Sequence, residues 1–346
     1  MRGMKLKENL SSPRFAGWST IRWGVAGTTI DRERFQLPSA ANTTAPKPRI
    51  AAADAPPRQS STIAMVQMAP YLGDVRRNLD AHLARIEQAR AAGADLIVFP
   101  ELSLTGYFVR DMVPEVALRL DSPELRELIE AAGACDLIFG MVEDDTHDRF
   151  HITGVYVESG AIRHVHRKVY LPTYGLFDEK RYFAAGHRIE AFNTSRFGRV
   201  GLLICEDLWH LSAVAVMQAE KVDLLVAIAN SPARGVDGPC IRTAETYRRM
   251  CRTYAEMLGA MVVFVNRVGF EDGLCFWGQS MAIGPDSLPL TEAPALDEAL
   301  VLTTFDKADL RRRRVLTPLA RDENLLLTIE ELQRIKRSRY ESESSS

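Results

Sequence analysis

Short, uninterrupted apolar runs recur between residues 61 and 284, and helix-patterned segments separate most of them. Residues 62–68, 95–99, 135–142, 200–204, 222–229, 261–265 and 280–284 read as buried strands. Residues 75–92 carry an amphipathic helical period, and helices are also expected near 123–132, 211–221 and 242–258. Residues 153–158 and 161–166 flank Ser159-Gly160 and read as a hairpin. Strands alternating with helices at this spacing leave the α/β class as the expectation. Nothing in 61–335 has the composition of a linker, so that stretch is expected to form a single domain.

The flanks differ. Residues 1–60 hold ten Lys and Arg against four Asp and Glu, and Pro, Ser, Ala and Thr crowd 38–61, as expected of a disordered basic extension. Residues 336–346 read as a polar disordered tail. A net charge of −2 gives no reason to expect a nucleic-acid partner, and no apolar run reaches the roughly 18 residues of a membrane span. The cysteines (Cys135, Cys205, Cys240, Cys251, Cys275) are odd in number and widely spaced. They match no zinc or disulfide framework and point to a reducing, cytoplasmic setting.

Three polar residues share a placement at strand ends: Glu101 after 96–99, Lys168 after 161–166, and Cys205 after 200–204. Strand ends are where α/β proteins collect reacting groups. Brought together, the carboxylate can take the thiol proton, the thiolate can attack a carbonyl carbon, and the ammonium can hold the oxyanion. Taken singly, Cys205 reads equally as a small core residue, and Glu101 and Lys168 as solvated charges. The sequence has no Gly-x-Ser-x-Gly elbow, phosphate-binding loop or dinucleotide fingerprint. His147 and His151 lie in a polar connection that does not suit a metal site. Arg311, Arg312, Arg313 and Arg314 read as a solvated run, and Trp209 and Phe183 as core or subunit-contact residues.

At these residues the chain resembles the nitrilase superfamily of carbon–nitrogen hydrolases. The resemblance runs from about 62 to 335. It rests on Phe-Pro-Glu-Leu-Ser-Leu-Thr-Gly-Tyr at 99–107, His-Arg-Lys-Val-Tyr-Leu-Pro-Thr-Tyr at 166–174 and Ile-Cys-Glu-Asp-Leu-Trp at 204–209. It implies a four-layer α-β-β-α sandwich that pairs into a homodimer or higher homo-oligomer. It implies Glu101 as general base, Lys168 as oxyanion stabiliser, Cys205 as nucleophile and Glu179 as a second glutamate holding the site, with no metal or organic cofactor. Residues 171–183, Asn230-Ser-Pro and Val265-Asn-Arg-Val-Gly are similar to the glutaminase domain of glutamine-dependent NAD synthetases. That similarity places Tyr107, Tyr174, Glu206 and Ser231 against the substrate. A Ser-Gly-Gly-x-Asp-Ser ATP loop is missing. The expectation is therefore a hydrolase of a small, glutamine-like amide, with a nitrilase, a carbamoyl-amine hydrolase, or a glutaminase subunit serving a separate synthetase as alternatives.

Overall fold

The computed structural model describes residues 60–238 and 240–341, all within the unit Asp54–Ser346. The expected basic extension lies outside the described residues apart from Ser60, which begins the first strand. Of the expected tail, Lys336 ends a helix, Arg337–Glu341 form a π-helical turn, and 342–346 lie outside the described residues.

In chain order the strands of the first half are β1 (Ser60–Gln67), β2 (Leu96–Val98), β3 (Asp136–Asp144), β4 (Phe150–Glu158), β5 (Ala161–Arg167), β6 (Ala191–Thr194), β7 (Gly198–Ile204) and β8 (Leu224–Ala229). They continue as β9 (Val236–Asp237), β10 (Cys240–Ile241), β11 (Met261–Asn266), β12 (Val268–Glu271), β13 (Leu274–Trp277), β14 (Met281–Ile283), β15 (Pro289–Glu292) and β16 (Ala299–Asp306). The helices are α1 (Val75–Ala91), α2 (Val113–Val116), α3 (Pro123–Ala132), α4 (Glu179–Tyr182), α5 (Leu211–Ala219), α6 (Arg242–Leu258), α7 (Lys307–Leu316), α8 (Leu319–Asp322) and α9 (Leu325–Lys336).

Two mixed sheets of six strands result, ordered β16-β1-β2-β3-β4-β5 and β15-β14-β11-β8-β7-β6. In each, three parallel strands form the centre (β1, β2, β3; β11, β8, β7) and antiparallel strands close the sides. Alternate residues of β1 separate the two faces of the first sheet, as a period of two requires. Ala64 and Val66 pack with Leu79 and Ile86 of α1 and Leu125 and Leu128 of α3. Ile63 and Met65 pack instead in the cluster holding Leu202 and Ile204 of β7. That cluster also contains Ala213 and Met217 of α5 and Tyr247, Cys251 and Tyr254 of α6. The layers are therefore α-β-β-α.

The strands and helices expected from the sequence match to within a few residues, and the structure adds others. Cys205–Trp209 form a 3-10 turn that the sequence reading did not include, and α5 begins at Leu211 as expected. β6, β12, β13, β15, β16 and α7 have no counterpart in the sequence reading; β15 buries no residue, and β16 and α7 bury too few to show an apolar pattern. The arginine run is solvated only in part. Arg311 and Arg312 are exposed, whereas Arg314 donates to Asp223 Oδ1 at 2.7 Å and to the Val222 carbonyl at 2.6 Å, pinning α7 to the second sheet. Among the described residues no helix is long and apolar enough to cross a membrane.

Candidate active site

Each reactive side chain is delivered by the end of a strand. Glu101 follows β2 across Phe99-Pro100, and its turn lies flat against β3. Gly140 makes that approach possible, since a Cβ there would stand 2.4 Å from the Leu102 nitrogen and 2.8 Å from the Glu101 backbone. Lys168 is the first residue past β5, and Cys205 the first past β7. Cys205 has φ 47°, a left-handed conformation that non-glycine residues adopt at a cost, held here by the turn that follows.

Glu101 and Lys168 are fully buried, and Glu179 is 4% exposed. Lys168 Nζ donates to Glu101 Oε1 and to Glu179 Oε1, both at 2.8 Å. The Tyr107 hydroxyl donates to the same Glu179 oxygen at 2.6 Å, and the Asn230 amide N–H donates to Glu101 Oε2 at 2.7 Å. Burial alone would lower the Lys168 ammonium, but the two carboxylates outweigh it and hold its pKa well above the usual value. Burial pushes Glu179 up to about 7; Lys168 opposes this, and the Glu101 charge adds to it. The Cys205 thiol is raised well above its ordinary range, first by burial and then by the Glu101 charge, with Lys168 acting against both. Burial and the Glu101 charge thus favour the thiol over the thiolate, and a base beside the sulfur would assist its ionisation.

The sequence signal missed Asp207. One buried carboxylate accepts from four donors that flank the lysine and the cysteine. Its Oδ1 takes the Val169 and Tyr170 amides at 3.0 and 2.9 Å, and its Oδ2 takes the Ile204 amide at 3.1 Å and pairs with His166 Nε2 at 2.8 Å. Burial raises its pKa, but the His166 bond and the remaining contacts overcome that and keep it below the usual carboxylate range. In the sequence Asp207 is indistinguishable from an acid at a helix start.

The remaining expected residues divide. Tyr107 joins the Lys168 network, and its backbone is fixed by Glu271 Oε1, which accepts from the Tyr107 and Phe108 amides at 2.8 and 2.7 Å. Tyr174 and Glu206 form a separate pair, the phenol donating to the carboxylate at 2.9 Å, on the wall of a cavity of about 330 Å³ that Lys180 and His210 also line. Ser231 is buried and its Oγ accepts from the Trp277 indole at 3.2 Å. Phe183 lines a second cavity, about 410 Å³, with Tyr107 and Glu179. Trp209, expected in the core or a subunit contact, is half-buried and donates its indole N–H to the Tyr247 hydroxyl at 2.9 Å. Among the described residues no group of three or more His, Cys, Asp or Glu could hold a metal ion. His151 instead pairs with Asp145 at 3.2 Å.

The family model described as carbon–nitrogen hydrolase matches residues 62–315. The glutamine-dependent NAD(+) synthetase of Acinetobacter baylyi is 29% identical over 257 residues, which cover 74% of this chain and 46% of the synthetase. A probable nitrilase of Schizosaccharomyces pombe is 27% identical over 264 residues, covering 73% of this chain and 92% of the relative. Among solved structures, the glutamine-dependent NAD+ synthetase of Acinetobacter baumannii superposes with a TM-score of 0.65 at 28% identity, over 72% of this chain and 46% of that one. The chain thus spans under half the length of the synthetases that it matches.

Proposed function

Because the chain belongs to the carbon–nitrogen hydrolase family, we propose that it hydrolyses the C–N bond of a small linear amide through Cys205, Glu101 and Lys168, and that a glutamine-like amide is its substrate. In this reading Glu101 takes the thiol proton and Cys205 Sγ attacks the amide carbon. Lys168 and the Glu206 backbone N–H steady the oxyanion. The C–N bond breaks, and Glu101 returns the proton to the departing ammonia. Water deprotonated by Glu101 then cleaves the thioester to the acid. Glu179 holds Lys168 from the far side.

The observation that carries this reading is the fully buried Lys168 ammonium shared by the carboxylates of Glu101 and Glu179. A lone buried ammonium is costly, so a site that keeps it charged is built to meet developing negative charge. The glutamine-like choice draws on the similarity to NAD synthetases. It is also supported by the 330 Å³ cavity, where Glu206 and Lys180 offer one charge of each sign to an amino-acid end. Tyr107, Tyr174 and Ser231 complete the substrate contacts in this reading.

Ammonia release from glutamine, simpler amides, nitriles and carbamoyl-amines, compared between wild type and Cys205→Ala, tests it. Release from an amide by wild type and none by the folded variant is expected, and undiminished release by the variant removes the reading. Nitrile or carbamoyl turnover would reassign the substrate within the same chemistry. A second reading, a glutaminase subunit feeding ammonia to a separate synthetase, draws on the similarity to glutamine-dependent NAD synthetases. It predicts turnover only once a synthetase is added.

Pairing of two copies belongs to this proposal. It is supported by α5, whose outward residues Leu211, Ala215 and Val216 are exposed and uncharged. Sedimentation at a dimer mass is expected; a monomer at micromolar concentration would remove the pairing.

A further inference from the structure

The 3-10 turn that carries Cys205 is gripped by one face of α6. Tyr247, Cys251 and Tyr254 stand at i, i+4 and i+7 on that helix and are all buried. Tyr254 donates its hydroxyl to the Leu208 carbonyl at 3.2 Å, fixing the turn's backbone. Two turns earlier, the Tyr247 hydroxyl lies 3.4 Å from Cys205 Sγ and 2.9 Å from Trp209 Nε1.

The roles in this trio follow from donor chemistry. An indole N–H can only donate, so Trp209 occupies a lone pair of the Tyr247 oxygen. The phenolic proton must then point elsewhere, and Tyr247 is 2% exposed, which leaves little access to water. Among the described residues, the neighbour recorded for that proton is the cysteine sulfur. Packing alone would not ask for the hydroxyl. The Tyr247 ring lies 4.5 Å from Phe264 and 6.0 Å from Trp277 between centroids, contacts that a phenylalanine ring would make equally.

We infer that Tyr247 is a further catalytic residue: its hydroxyl, held by the Trp209 indole, donates a hydrogen bond to Cys205 Sγ and stabilises the thiolate that attacks the substrate. Trp209 is a positioning residue that polarises and orients this donor. The inference rests on Cys205 being the nucleophile. It adds a neutral donor to a sulfur whose titration also feels the charges of Glu101 and Lys168 from the first sheet and Glu179 on α4, and which is electrostatically coupled to the phenols of Tyr107 and Tyr174.

The test is the rate of iodoacetamide alkylation at Cys205 across pH, read by mass spectrometry of its peptide, because Cys135, Cys240, Cys251 and Cys275 are also free. Removing a donor to the thiolate raises the pH at which the thiolate forms. Tyr247→Phe is therefore expected to move the profile up by about one pH unit, a roughly tenfold slower alkylation at a pH below the midpoint. Trp209→Phe should move it the same way by less. An unchanged profile in folded Tyr247→Phe overturns the role. If that variant does not fold, an unchanged profile in Trp209→Phe overturns it instead. Alkylation reads the sulfur whatever the substrate, so the outcome stands apart from whether glutamine is turned over.

Discussion

At the scale of single residues, the site depends on groups that hold the reacting ones. Asp207 ties Val169 and Tyr170, next to the lysine, to Ile204, next to the cysteine. Asp207→Asn keeps the shape but turns an NH2 donor toward N–H groups that need an acceptor. Leaving buried donors unpaired is expected to cost about 1–3 kcal/mol of stability. Misplacing Lys168 against Cys205 should lower turnover about a hundredfold even where the variant remains folded. Denaturant titration and steady-state kinetics measure the two effects, and a folded variant with wild-type turnover would contradict the tie. Glu101, Lys168 and Cys205 were legible in the sequence because each follows a strand inside a stretch that resembles one family, although each taken singly also reads as structural. Asp207 and Tyr247 were not. The acid sits among helix-start acids, and the tyrosine falls on the apolar stripe of α6, where its hydroxyl leaves no trace in the pattern.

At the scale of elements, the placement of Glu101 depends on a strand that carries no reactive group. β3 presents Gly140 directly under the Glu101 turn, and Ser103 Oγ closes the gap by accepting from the Gly140 amide at 3.4 Å. Gly140→Ala would drive a methyl group into backbone rather than into a side chain that can swing aside. The turn must shift, and hydrolysis should fall at least tenfold together with a loss of about 1–3 kcal/mol from overpacking. Assaying the purified variant beside its melting curve checks this, and unchanged turnover would show that the turn yields without moving the carboxylate. The same element explains why the strands of the sheets could be read so closely. β2, β3, β7, β8 and β11 are buried along nearly their whole length and appear as unbroken apolar runs. β16 buries only Thr303 and Phe305 within an otherwise partly exposed strand, which is too sparse a pattern to recognise.

At the scale of the whole molecule, the site straddles two sheets. Glu101 and Lys168 come from the first and Cys205 from the second, so their meeting depends on how the sheets pack across Ile63, Met65, Leu202 and Ile204. The α/β class could be read from the alternation of elements, and the four layers only from the family resemblance. The strand order could not, because pairing partners lie far apart in the chain. β1 shows this most clearly: Ser60 pairs with Asp306 and Gln67 with Ala299. That pairing has a consequence for the chain as it is being made. At about 5–20 residues per second, the ribosome takes roughly 12–50 seconds to travel from β1 to β16. Throughout that interval β1 has no partner on its outer side. Glu101 and Lys168 are already synthesised, yet the sheet that carries them waits on a strand that comes after Cys205, its turn and α6.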